Sequence, residues 1–323
     1  VSDIFRLQDK GKRALALRYE FTFQLKRLMK NKKLPYKRYQ IGEVFRDEPI
    51  SANRFRQFTQ CDIDIIGSTV KDDAEILAIS NEILKKLGIE PIILINNRAL
   101  LNEILNDNKI AEKNKEQVLR EIDKFDKIGE KETRINLKKL GAEKILGTLK
   151  KGKKYFSKFE SYKEILELIK YCKLYGVRAL FSPTLIRGLS YYNKNIFEIK
   201  TKGIAEMIIA GGSYKFNNVQ CTGVAFGLDR IAMLAKLDLN KEKYLIVSLN
   251  QDKKAIELSQ KLRAKNKITS VYYGKPSKAL DYANSYDFGK VIFVGEKELK
   301  AKKFKVKDMK TGKEKSLDFP AKF

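Results

Sequence analysis

Histidine is absent from all 323 residues. That excludes serine-type catalytic triads, histidine-ligated metals and imidazole acid/base chemistry. Proton transfer or phosphate chemistry must use arginine, lysine, carboxylates, tyrosine or a bound ion. Cysteine is scarce: Cys61, Cys172 and Cys221 stand far apart, in no C-x-x-C pair. Neither a disulfide framework nor a zinc site is indicated, no metal-ligating set is assigned, and a reducing, cytoplasmic setting fits. The chain has no apolar run of about 20 residues and no charged-then-apolar leader, so neither a membrane span nor a signal peptide is expected. Acids are the minority charge, Lys+Arg 67 against Asp+Glu 40, a formal +27. Such an excess favours a polyanionic partner held through phosphate contacts, although lysine-rich composition produces the same figure in enzymes with no nucleic-acid role. With 43% hydrophobic residues, the chain can bury a sizeable core in two or three domains.

The densest pattern lies in residues 39–68, YQIGEVFRDEPISANRFRQFTQCDIDIIGS. YQIGEVF and RFRQFTQCDIDIIG each alternate apolar and polar residues, as half-buried strands do. RDEPISAN between them, with Pro49 and Asn53, is a turn composition. The hairpin places three arginines and several acids on one half-buried sheet, where unpaired charge is costly, so they face ligands or one another. A salt-bridged face meets the same pattern.

In chain order, residues 5–18 read as two short strands around the turn Asp9-Lys10-Gly11-Lys12, and residues 19–30 as a helix. Residues 74–87 form an amphipathic helix with Ile76, Leu77, Ile79, Ile83 and Leu84 inward and Gly88 as C-cap. PIILINN is a buried strand, and residues 99–178 are helical and heavily charged, broken at Gly129, Gly141 and Gly152. The cluster Lys150, Lys151, Lys153 and Lys154 could touch a nucleic acid, although a solvated face is the expected reading. Residues 208–214, IIAGGSY, read as a buried strand followed by a glycine turn, and residues 222–234 as a strand, a tight turn at Gly227 and a helix. Polar residues 237–243 mark a domain boundary. Beyond it, strands alternate with helices of about ten residues, which implies a small, mainly parallel sheet. No G-x-G-x-x-G follows the first strand, so a dinucleotide fold is not indicated.

Phe45-Arg46-x-Glu48, a variable loop and Arg54-Phe55-Arg56-x-Phe58 resemble motif 2 of the class II aminoacyl-tRNA synthetases. Gln60-x-Asp62-x-Asp64 resembles the archaeal and eukaryotic branch of the histidyl-tRNA synthetases. Leu17-Arg18-Tyr19-Glu20-Phe21-Thr22 resembles that family's Leu-Arg-Tyr-Asp-Leu-Thr stretch. Arg187-Gly188-Leu189-Ser190-Tyr191-Tyr192 resembles its Arg-Gly-Leu-Asp-Tyr-Tyr signature, with Ser190 in place of Asp. Ala210-Gly211-Gly212-Ser213-Tyr214-Lys215 departs from Ala-Gly-Gly-Arg-Tyr-Asp at Ser213 and Lys215, and TGVAFGLDR resembles motif 3.

The resemblance implies an α+β fold. Its antiparallel class II core with flanking helices would span residues 1–98 and 179–238, with a helical insertion at 99–178. A C-terminal α/β anticodon-binding domain would span 239–323. It implies histidine activation with ATP and Mg2+ to histidyl adenylate, then transfer to the 3′ end of histidine tRNA, by a cytoplasmic homodimer. Arg46, Arg187 and Arg230 would be catalytic, stabilising charge on the phosphates and positioning them. The sequence shows no protein general base, so a phosphate oxygen could serve as base in the transfer step. ATP would meet Arg46, Glu48, Arg54, Arg56, Phe58, Gly227 and Arg230. Histidine would meet Glu20, Thr22, Gln60, Asp64, Arg187, Tyr191, Tyr192, Gly211 and Gly212, with Asp64 anchoring the ammonium. From the residues alone, Thr22 and Asp229 could instead be helix caps, and Tyr191 and Tyr192 a packed strand pair. The family's motif 1 segment, which builds its dimer interface, is expected to be missing from this sequence. Two rivals therefore stand beside the enzyme: a regulatory synthetase-like subunit of histidine biosynthesis, and an inactive tRNA-binding remnant.

Overall fold

The computed structural model describes residues 3–29, 32–51, 54–187, 191–204, 206–237 and 242–318. Contacts divide the chain into two compact units, residues 1–236 and 237–323.

The first unit opens with β1 (Arg6–Gln8) and β2 (Ala14–Ala16), an antiparallel hairpin at the predicted turn, closed by the Asp9 carboxylate accepting from the Arg13 amide at 2.8 Å. After α1 (Thr22–Leu28) come β3 (Tyr36–Phe45) and β4 (Gln57–Ile66), paired antiparallel with Tyr36 opposite Ile66 and Phe45 opposite Gln57. Arg54 and Arg56 therefore precede the second strand instead of lying in it. Helix α2 (Val70–Lys86) starts four residues before the predicted position 74. Thr69 and Asp72 form a capping box there, each satisfying backbone donors of the other's segment. Its buried stripe is Asp73, Ala74, Ile76, Leu77, Ser80 and Leu84, whereas Ile83, expected inward, is exposed. Two polar residues take the place that apolar periodicity gave to Ile83.

Strand β5 (Ile92–Asn97) leads into the helices α3 (Arg98–Asp107), α4 (Glu112–Asp123), α5 (Phe125–Lys139), α6 (Ile145–Leu149), α7 (Lys153–Phe156) and α8 (Glu160–Leu174). Gly129, at φ 79°, kinks α5 where the sequence signalled a break. The helical stretch is not a compact unit of its own: Leu100, Ile122, Leu146 and Leu168 belong to the same buried cluster as Ile65, Ile95 and Phe197 of the sheet. Next are β6 (Ala179–Phe181), β7 (Tyr192–Lys200), β8 (Ile209–Phe216), β9 (Val219–Gly227) and α9 (Leu228–Leu234). Seven strands form one sheet in the order β3-β4-β9-β8-β7-β5-β6, antiparallel except for β5 beside β6.

The expected glycine turn is not there. Gly211 and Gly212 lie in the middle of β8, and the chain reverses at Asn217 and Asn218, with φ of 47° and 64°. The glycines serve close packing between strands. A Cβ on Gly211 would lie 2.1 Å from the Gly223 carbonyl oxygen, and one on Gly212 would lie 2.7 Å from the Asn195 carbonyl oxygen.

The second unit runs β10 (Lys243–Ser248), α10 (Asp252–Ala264), β11 (Ile268–Tyr273), α11 (Pro276–Ser285), β12 (Lys290–Val294), α12 (Glu296–Ala301), β13 (Lys303–Asp308) and β14 (Glu314–Asp318). Its order is β11-β10-β12-β13-β14, the first three strands parallel and the last two antiparallel. Apolar clusters cover both faces, Ile246 and Ile292 on one and Leu245 and Val291 on the other. The alternating α/β reading is the observed one.

Candidate active site

In the first unit the sheet turns one face to α2 and the other to a cavity of about 850 Å³. Alternation on β4 sets this up, since period two sends Gln60, Asp62 and Asp64 to one side and Cys61, Ile63 and Ile65 to the other. All three polar side chains are buried. On β8, Tyr214 points to the cavity while Ser213 points to α2, where its hydroxyl donates to the buried Asp73 carboxylate at 3.0 Å.

One end of the cavity is acidic. Glu20 is buried just before α1, and burial pushes its carboxyl up to about 7, with Arg46 opposing. Its Oε1 has no hydrogen-bond partner among the described residues. Asp62 is likewise pushed up to about 7, by burial first and by Asp64 second, while Gln60 Nε2 donates to it at 2.7 Å. Burial raises Asp64 too. Arg38, on the neighbouring strand, and the Tyr214 hydroxyl, at 2.8 Å, pull it back. Asp64 has partners on both oxygens, whereas Glu20 keeps a buried oxygen without a partner among the described residues. Thr22 lines the same end, and its hydroxyl does not cap α1. Tyr191 and Tyr192 close the wall, their ring centroids 4.6 Å apart, with the Tyr214 ring edge-on at 5.8 Å from Tyr191. They pack against one another and line the cavity together, where opposite strand faces would have separated them.

Arginines line the same cavity. The Arg46 guanidinium lies between the Tyr19 and Phe58 rings, 4.8 and 5.1 Å from their centroids, and Nη2 donates to Gln60 at 3.0 Å. Arg187 is half-buried, its Nη1 donating to Glu198 at 3.1 Å, and its buried Nε has no partner among the described residues. An unpartnered buried donor is costly unless something else accepts from it. Arg230 Nη1 donates to the Met207 carbonyl at 2.9 Å, and Asp229 accepts from the Thr59 amide at 2.9 Å. Asp229 thus ties the start of α9 to β4. Arg54 pairs with Glu48 at the rim, while Gly227 ends β9 beside it in the lining.

The cavity gathers every candidate named from the sequence except three. Arg56 turns outward to Asp47 and the Glu48 carbonyl. Gly211 pairs with Val224 and Phe197 on the α2 side of the sheet, and Gly212 is covered by the Tyr192 ring. Gly188, Leu189 and Ser190, and Asn53 in the earlier turn, lie outside the described residues. Missed from sequence were Tyr19, Asp62 and Glu198. For Asp62 and Glu198 the signal was a carboxylate inside a strand that otherwise reads as buried. No helix of the described residues is long and apolar enough to cross a membrane.

Comparison with known proteins gives the same direction. A family model described as histidyl-tRNA synthetase matches residues 1–231, and one described as anticodon binding domain matches residues 243–320. A protein of Methanocaldococcus jannaschii named histidine–tRNA ligase is 34% identical over 97% of this chain and 83% of its own length. A protein of Shouchella clausii named histidine–tRNA ligase 2 is 31% identical over 98% and 84%. Among solved structures, a histidyl-tRNA synthetase from Nostoc sp. PCC 7120 superposes with TM-score 0.84 at 24% identity, covering 98% of this chain and 84% of that one. A Bacillus halodurans structure titled ATP phosphoribosyltransferase regulatory subunit/histidyl-tRNA synthetase superposes with TM-score 0.75 at 22% identity, over 90% and 83%. These two likenesses concern the fold, which does not by itself separate synthetase from regulatory subunit. The family match over most of the chain and the relatives above 30% identity do: the chain belongs to the histidyl-tRNA synthetase family.

Proposed function

We propose that the cavity of the first unit holds ATP and histidine together and that its three arginines carry the adenylation. As an ATP-dependent histidine–tRNA ligase, the protein joins histidine to the α-phosphate of ATP and then passes it to the 3′ end of histidine tRNA. Attack of the histidine carboxylate on the α-phosphate develops negative charge there. Preorganised guanidinium groups stabilise such charge without reorganising during the reaction. Arg46, wedged between two rings, and Arg187, with a buried donor unspent, are the two we assign to the α-phosphate and the substrate carboxylate. Arg230, with Arg54 and Glu48, is assigned to the outer phosphates and adenine. Glu20, Thr22, Gln60 and Asp64 face the ammonium and imidazole of histidine, and Tyr191 and Tyr192 wall the pocket. Holding both reactants in one cavity supplies the positioning term.

Mg2+ fits the phosphate end, where Glu48 and Glu206 line the cavity near Arg230 and offer the hard oxygen donors this ion prefers. Its contribution when bound is neutralisation of the outer phosphates. Residues 243–320 are assigned to the tRNA. We also read the protein as a homodimer. Supporting this, β3 is a ten-residue edge strand with Tyr39 and Ile41 exposed along it. The cysteines are free, and burial pushes the Cys172 thiol up to about 12, in keeping with a reducing cytoplasm.

The observation that carries the reading is the convergence of Arg46, Arg187 and Arg230, from three separated segments, on one cavity that also holds Glu20, Asp62 and Asp64. The test is amino-acid-dependent exchange of pyrophosphate into ATP. Histidine alone should support it, and Arg187→Ala should lower the rate by about 100-fold or more. Absence of exchange with tRNA binding intact would favour the non-catalytic remnant.

A further inference from the structure

The acidic end of the cavity is braced by a residue outside its lining. Arg38 lies on β3 with its side chain 6% exposed. Nε and Nη2 both donate to Asp64 Oδ2, at 3.1 and 2.9 Å. Nη1 donates to Gln40 at 2.7 Å, and Nη2 also reaches the Phe21 carbonyl at 3.3 Å. The other carboxylate oxygen of Asp64 accepts from the Tyr214 hydroxyl at 2.8 Å. A single guanidinium thus joins β3, β4 and the segment before α1 that carries Glu20. Behind Asp64 there is no slack, because a Cβ on Gly223 would lie 2.3 Å from Oδ1.

We propose that Arg38 is a positioning residue of the amino-acid subsite: it holds Asp64 as an oriented carboxylate, with the Glu20 segment beside it, so that the cationic groups of histidine meet a fixed anion. This rests on the reading that this end of the cavity takes histidine. Three buried acids, Glu20, Asp62 and Asp64, repel one another when ionised, and burial favours their neutral forms. A neutral carboxyl would have to donate a proton to one of its neighbours. Both oxygens of Asp64 instead accept hydrogen bonds, the arrangement a carboxylate requires. Guanidinium is suited to this because it stays charged and presents a planar fork; an ammonium at the same place supplies the charge without the fork.

The test measures kcat and the KM for histidine and for ATP in pyrophosphate exchange. The proteins are the wild type, Arg38→Gln, Arg38→Lys, Asp64→Asn and the double variant Arg38→Gln/Asp64→Asn. Arg38→Gln should raise the KM for histidine at least about tenfold while the KM for ATP stays within about twofold. Arg38→Lys should recover part of that loss. The double variant should lose little beyond Asp64→Asn, because with Asp64 uncharged only the Gln40 and Phe21 contacts of Arg38 remain. If Arg38→Gln alone fails to fold, the double variant, which leaves no unpaired buried charge, carries the comparison. Parallel rises in both KM values, or multiplying losses in the double variant, would overturn the proposal and leave Arg38 a scaffold residue. A wild type that exchanges with a different amino acid would overturn the histidine reading itself, before any variant is made.

Discussion

The two sheets of this protein divide their faces differently. In the second unit the strands Lys243–Ser248 and Lys290–Val294 are parallel and apolar on both sides, each face covered by its own cluster. In the first unit the antiparallel strand Gln57–Ile66 gives one face to the apolar core and the other to Gln60, Asp62 and Asp64. A parallel sheet wrapped by helices keeps both of its faces apolar. Under the proposed function the tRNA meets this unit at its surface, through exposed cations. An antiparallel sheet with one open face can bury charged groups against a ligand and shift their proton affinities, which is what a reacting site needs. Under the proposed function the contrast is a division of labour, chemistry inside one unit and tRNA contact on the outside of the other, and it can be broken at four points.

The largest effect is expected at Arg46. Arg46→Ala should lower the exchange rate by about 100- to 1000-fold, roughly 3 to 4 kcal/mol in the barrier, with thermal unfolding near that of the wild type. A small loss of rate would move the chemistry elsewhere. In the second unit, Ile246, fully buried, should behave as pure core. Ile246→Ala should cost that unit about 2 to 5 kcal/mol in urea unfolding while histidine-dependent exchange continues. Loss of exchange in step with that unfolding would show that the chemistry needs both sheets.

Next comes Glu20, whose raised carboxyl is a penalty on folding. The unfolded chain releases this proton near 4.5, and the folded chain keeps it until about 7. Between those values the folded form binds more protons, so stability falls as pH rises from about 4.5 to 7 and is level above. Glu20→Gln should remove the Glu20 share of that fall, leaving the share Asp62 contributes over the same range, and stabilise the chain at pH 8 by up to about 3 kcal/mol, while raising the KM for histidine. Unchanged stability at pH 8 would mean that Glu20 is solvated. The smallest effect is at Lys275, exposed at the start of its helix. Lys275→Glu should weaken tRNA binding and reduce the salt slope by about one, leaving exchange untouched. Lys290 makes a poorer probe, since it already pairs with Asp308 at 3.0 Å and Glu242 at 3.3 Å.

Much of this was legible in the sequence because it follows from spacing. Period two on Gln60, Asp62 and Asp64 told which side chains share a face, and the alternation after residue 243 gave the second sheet. Resemblance of Arg46, Arg187 and Arg230 to family motifs named three groups the fold brings to one cavity. What failed depended on partners distant in sequence. Gly211 and Gly212 read as a turn because locally they are; that they are strand residues pressed against Gly223 and Asn195 follows only from the pairing of β8 with β7 and β9. Arg56 looked equivalent to Arg54, yet its side chain turns to Asp47 while that of Arg54 lines the cavity. Arg38 carried no signal, since its meaning comes from a carboxylate 26 positions away. Ile83 lies outward while Asp73 and Ser80 are buried, because Asp73 accepts from Asn195 and Ser213 of the sheet and the Ser80 hydroxyl donates to the Ile76 carbonyl one turn back in its own helix.

The glycines at 211, 212 and 223 have a consequence for how this protein can change. Most pocket side chains can be exchanged in single steps, each a trial of function in an intact fold. At these three positions one added methyl group meets backbone or a buried carboxylate before any ligand arrives. Variation there is screened by folding first, so the strands that back the proposed histidine pocket are held at a fixed spacing. A search for altered amino-acid specificity would do best to leave that wall alone and vary the rim.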